Sequence, residues 1–141
     1  MATLAADKVR PFESTGAADF NDLPVIASDI IYEGAAVGDN GSGLARPLVA
    51  LDPFMGFASR QCDNSAGAAS AKNVRVRSSG YVSLPVTGAA SAADQGEAVY
   101  ASDDDTFTLT STGNTAIGKV HRWVTGTTCI VYFESVARRS I

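Results

Sequence analysis

Charged side chains are scarce in this chain. They make up 18% of its 141 residues, against roughly 25% in an average soluble domain, so like-charge repulsion does little to oppose association with other surfaces. Positive charge is scarcer still: eleven Lys and Arg stand against fifteen Asp and Glu, for a net charge of −4. No basic block tracks along the sequence as a phosphate-binding stripe would, and nucleic acid is excluded as an expected partner. Only one histidine is present, His121, so any Ser-His-Asp or Cys-His arrangement would have to be built on it. The two cysteines, Cys62 and Cys129, lack the close spacing of zinc or redox motifs and read as buried free thiols. No apolar run approaches the ~20 residues of a membrane span. The opening MATLAADK lacks the basic segment and apolar stretch of a signal peptide, which points to production in the cytoplasm.

Periodicity divides the chain in two. Residues 1–24 carry Leu4, Val9, Phe12, Phe20 and Leu23 at no helical or alternating spacing, among small and polar residues and two prolines. This segment is expected to be an extended N-terminal arm, ordered mainly by contact with neighbouring chains. From Val25 onward, short apolar runs are each closed by Gly, Pro, Asn or Asp, the pattern of an all-β domain spanning 25–141. Strands are predicted at 25–33, 44–51, 54–61, 73–78, 80–87, 97–101, 106–110, 116–124 and 128–134, with 34–43 and 64–71 as surface loops. The only helical candidate, Gly88–Asp94, has no apolar stripe and can give one or two turns at most. No fixed-period repeat is present. The architecture expected is therefore a jelly roll, β-sandwich or small β-barrel with an extended arm.

Little in the sequence announces chemistry. There is no GxSxG elbow, phosphate loop, HExxH or EF-hand spacing, and no metal, cofactor or catalytic residue is expected. His121 lies in a strand pattern that predicts a common face with Ile117, Lys119 and Trp123. Asp103-Asp104-Asp105 could offer oxygen ligands to a hard cation, but its place between two strand runs reads better as a hairpin turn. Arg75 and Arg77 alternate with Val74 and Val76, so both guanidinium groups share one strand face, a candidate contact patch. Trp123 and Tyr132 are further contact candidates, since large aromatics dominate interfaces as well as cores. The strand TCIVYFE, Thr128–Glu134, is apolar on both faces and is predicted to be central or covered by another subunit. With the arm residues Leu4, Val9, Phe12 and Phe20, these complete the expected partner-contact set.

Five segments occur in a telling order: VRVRSSGYVSLPV at 74–86, ADQGEAVYA at 93–101, TFTLT at 106–110, TGNTAIG at 112–118, and the strand ending at Glu134. Over this stretch, a little under half the chain, the protein resembles the capsid cement, or head-decoration, proteins of tailed bacteriophages. The resemblance implies a structural protein of the virion with no catalytic residues. Assembled in the bacterial host cytoplasm, it would sit on the outer capsid surface and bridge major capsid protein subunits after the shell expands. Its partners would be the major capsid protein and other copies of itself, as dimers or trimers, with no nucleic acid and no membrane. The alternatives are another virion β-domain, associated with tail or fibre, or a carbohydrate-binding β-sandwich.

Overall fold

The computed structural model describes residues 4–13 and 19–138; residues 1–3 and 14–18 of the expected arm lie outside the described residues. The protein is all-β. Its strands are β1 (Phe12–Glu13), β2 (Asp19–Pro24), β3 (Asp29–Ile31), β4 (Ala36–Asp39), β5 (Ala45–Pro47), β6 (Phe54–Ala58), β7 (Cys62–Asn64), β8 (Asn73–Pro85), β9 (Ala98–Ala101), β10 (Phe107–Thr108), β11 (Thr115–Thr125) and β12 (Thr128–Glu134). The helical candidate is one 3-10 turn at Ala92–Asp94, begun by a capping box in which Ser91 and Asp94 satisfy each other's backbone amides.

One antiparallel sheet runs in the order β10-β9-β11-β12-β8-β6-β4-β5, with β1 and β2 also paired to β8; β3 and β7 form a separate ribbon. The large sheet curls into a half-barrel. Its distant ends approach where Val49 bridges Asp103 and where the Ala36 amide donates to the Asp104 carbonyl. Strand β8 is the spine. Its first half lies between β2 and β6, and its second half between β12 and β1. The predicted break after residue 78 is corrected, because Gly80, at φ +152, carries the strand through without interruption.

Two cores form on opposite faces of the same strands. Ala36 and Phe57 join the main core, while their neighbours Val37 and Ala58 join the second with Val74 and Val76, as alternation along a strand requires. Residues 34–38 are consequently all buried, and the expectation of a surface loop over 34–43 is corrected at its first half. A strand of small residues buried on both faces shows no polar alternation for the sequence to reveal. Strand β7 was missed for its polar composition, and the predicted strand 25–33 is interrupted by a turn with Ser28 at φ +59. The main core centres on phenylalanines: Phe57 meets Phe133 edge-on at 4.9 Å between ring centroids, and Phe54 and Phe107 at 5.6 and 5.9 Å. Cys62 and Cys129 are both buried free thiols, one in each core, where burial pushes both above the usual thiol range.

The described residues of the arm make extensive contacts with their own chain. Strand β2 pairs with β8 over its whole length. Residues 4–13 cross the curled sheet as a strap. Leu4 packs on the second core, and Phe12 sets its ring 5.9 Å from Phe133 and 6.3 Å from Phe57. Between them, Arg10 is buried, with its guanidinium over the rings of Phe57 and Phe107. Arg10 donates to the Gly34 carbonyl at 2.8 Å and pairs with Asp105 at 2.8 Å, and Lys8 takes the same carboxylate oxygen at 3.0 Å. Gly34, at φ +88, is the seat of this strap, because a Cβ there would overlap the Lys8 carbonyl oxygen.

Candidate functional site

Strand β8 and its neighbours carry most of the candidate contact residues. Along β8, Arg75 and Arg77 alternate with Val74 and Val76 of the second core, whereas Tyr81 alternates with Val82 of the main core; the two cores line opposite faces, and the register shift between Arg77 and Ser79 turns the arginines and Tyr81 to opposite sides of the sheet. Arg75 makes a bidentate pair with Asp22 of β2, at 2.9 and 3.1 Å. Both side chains are nearly half exposed, so the pair contributes little to stability. The Arg75 hydrogen bonds nevertheless hold the Asp22 carboxyl below its ordinary value.

Phe20, 48% exposed, links the two arginines. The Arg75 guanidinium lies 5.8 Å from its ring centroid and that of Arg77 lies 5.3 Å away; Arg77 also stacks over Phe12 at 4.5 Å. At the end of β2, Asp19 pairs with Arg138 at 2.8 Å.

Farther along β8, on the opposite face of the sheet, is a cluster of three rings. Tyr81 lies 4.7 Å from His121 and 5.2 Å from Tyr132. The Tyr132 hydroxyl donates to Glu134 at 3.2 Å. Burial, reinforced by the Glu134 charge, pushes the Tyr132 phenol up. His121 does not share a face with Ile117: the first is exposed and the second fully buried. Register shifts on either side of Ile117 and of His121 mark β-bulges, and each extra residue reverses the alternation that the sequence assumes.

The structure thus brings Phe12, Phe20, Arg75 and Arg77 together and places Tyr132 farther along the sheet. It sets the other candidates apart. Leu4 faces the second core, Val9 is 80% exposed on the strap, and Trp123 is half-buried against the main core with its indole N–H donating to the Gly126 carbonyl at 3.0 Å. The both-sided apolar strand β12 is central, between β11 and β8, with Cys129, Val131 and Phe133 inward. Asp103-Asp104-Asp105 forms the hairpin turn between β9 and β10, where Asp103 accepts from the Asp105 amide and the Thr106 hydroxyl.

Two features carry no sequence signal. Arg10 sits in an aperiodic stretch, and its burial comes entirely from tertiary contact. Leu51 is 71% exposed yet has φ +77 in the turn closed by the Asp52 amide and the Val49 carbonyl; that third turn position ordinarily selects glycine or asparagine. Among the described residues, no group of three or more His, Cys, Asp or Glu is placed to hold a metal ion, and no helix is long and apolar enough to cross a membrane. Compared with known proteins, the chain matches no family model, no curated protein and no solved structure.

Proposed function

We propose that this chain is a non-catalytic structural protein that decorates the outside of a phage-type capsid and bridges major capsid protein subunits. The observation that carries this reading is the motif order over residues 74–134, together with the fact that these segments are neighbours in one half of the sheet, β10-β9-β11-β12-β8. Strand β8 of that half carries arginines to one side and, farther along, aromatic rings to the other, the side chains that anchor protein contacts most effectively. Many identical copies on a shell would each need only weak contacts, because occupancy of linked sites multiplies. Dimers or trimers would match a symmetry axis of the shell.

The test is co-sedimentation of the purified protein with expanded and unexpanded heads from which any decoration has been stripped. Saturable binding to expanded heads alone, with a gain in their resistance to heat, is the expected outcome. Absence of binding to both forms overturns the proposal. One observation favours a second reading as a sugar-binding domain: the ring cluster of Tyr81, His121 and Tyr132 on an open face. Glycan binding that is lost in Tyr81→Ala, with no head binding by the parent protein, would select it.

A further inference from the structure

A guanidinium withdrawn from water ordinarily meets a carboxylate, because a desolvated cation without a counter-charge is costly. Two arginines here follow that rule, Arg10 with Asp105 and Arg46 with Asp52, and even the nearly half-exposed Arg75 and Arg138 meet Asp22 and Asp19. Arg77 does not. It is half-buried, yet among the described residues it meets two aromatic rings and no acceptor. Ring stacking occupies the flat faces of a guanidinium and leaves its N–H edge, the part that grips a carboxylate bidentately, directed away from the rings.

Beside this edge is a recess of about 110 Å³ walled by Val9, Phe12, Ser59 and Arg77, with Glu33 as its one acid. That volume suits the tip of an acidic side chain and is too small for a whole metabolite. On its wall Val9 is 80% exposed, and Phe20, which stacks on Arg77 outside the recess, is 48% exposed. A desolvated polar anchor ringed by apolar contacts is the arrangement of an interface hot spot.

We infer that Arg77 is a docking point for a partner protein, and that it receives an Asp or Glu carboxylate whose flanking apolar side chains cover Val9 and Phe20. The inference is independent of the capsid reading, since it specifies the chemistry of the partner and not its identity. Phe12 and Phe20 hold the guanidinium in place before the partner arrives, so little side-chain freedom remains to be lost on binding.

The experiment is a side-chain NMR titration of the full chain at constant ionic strength, following the Arg77 Nε–Hε signal, with the exposed Arg60 as internal reference. The probes are acetate, inorganic phosphate and the capped peptide Ac-Val-Glu-Val-NH2. Arg77 should respond to acetate at about a tenfold lower concentration than Arg60, to the peptide at a lower concentration again, and to phosphate more weakly than to acetate. Equal responses of Arg77 and Arg60 to acetate would overturn the site. A peptide no tighter than acetate would overturn the docking surface, and phosphate as tight as acetate would overturn the preference for a planar carboxylate. Arg77→Lys keeps the charge but loses the fork and should abolish the acetate and peptide response of the Phe12 and Phe20 ring signals that accompanies Arg77 in the parent; if that variant melts lower than the parent, the parent titrations decide alone.

Discussion

Single residues carry two kinds of tension in this molecule, conformational and electrostatic. Leu51 holds a left-handed backbone while its side chain is mostly in water, a conformation that costs a non-glycine residue roughly 1–2 kcal/mol. Leu51→Gly relieves that strain, partly offset by up to about 1 kcal/mol from a looser unfolded chain. The melting temperature should rise by a few degrees; a fall would show that contacts of the leucine side chain hold the turn. Asp105 carries the electrostatic case. Burial alone would raise its carboxyl, but the hydrogen bonds from Arg10 and Lys8 outweigh burial and hold it below the usual value of 3.8. A folded-state value below the unfolded one means that the ionised carboxylate stabilises the fold above about pH 4, and that this contribution disappears as pH falls through the lowered folded value. The gap in urea midpoint between the parent and Asp105→Asn should therefore be full at pH 6 and close in acid. A gap independent of pH would assign the loss to packing instead.

Among the elements, β8 and the strap do the most to hold the sheet in its curl. Strand β8 has partners on both sides along its length, and Phe133 of β12, opposite Gly80, touches Phe12, Phe54 and Phe57. Phe133→Ala removes the ring on which strap, β6 and β12 converge. It should cost about 3–5 kcal/mol, read as a lower urea midpoint with an unchanged slope; a loss under about 1 kcal/mol would mean that the neighbouring phenylalanines refill the space. The strap itself is an integral element. Deleting residues 2–13 uncovers Phe57 and Phe133 and leaves Asp105 without its cations, so stability should fall by at least about 2 kcal/mol. An unchanged melting temperature after this deletion would restore the picture of an independent arm.

At the scale of the whole molecule, the half-barrel presents an arginine–aromatic stack where β2 meets β8 and, on the opposite side of the sheet, a cluster of rings across β8, β11 and β12. The rigidity of these surfaces follows from the two cores on either side of the sheet, because strands packed on both sides cannot shift register without exposing an entire apolar set. The low charge leaves them open to association. The proposed capsid attachment and the Arg77 docking point would both be served by such surfaces, and the head-binding and carboxylate titrations separate them.

The amino-acid order by itself determined the β class, the strands around β11 and β12, the hairpin at Asp103–Asp105, the single helical turn and the shared face of Arg75 and Arg77. Each of these depends on local alternation and turn chemistry, which act over a few residues. Tertiary structure decided the rest. Residues 34–38 became a strand because two cores enclose them, Gly80 joined two predicted strands into one spine, and bulges at Ile117 and His121 reversed which face His121 occupies. The strap was invisible for the same reason: Arg10 and Phe12 have no period of their own, and their positions are set by Asp105, Phe57 and Phe133, residues far along the chain that meet them only once the sheet has curled.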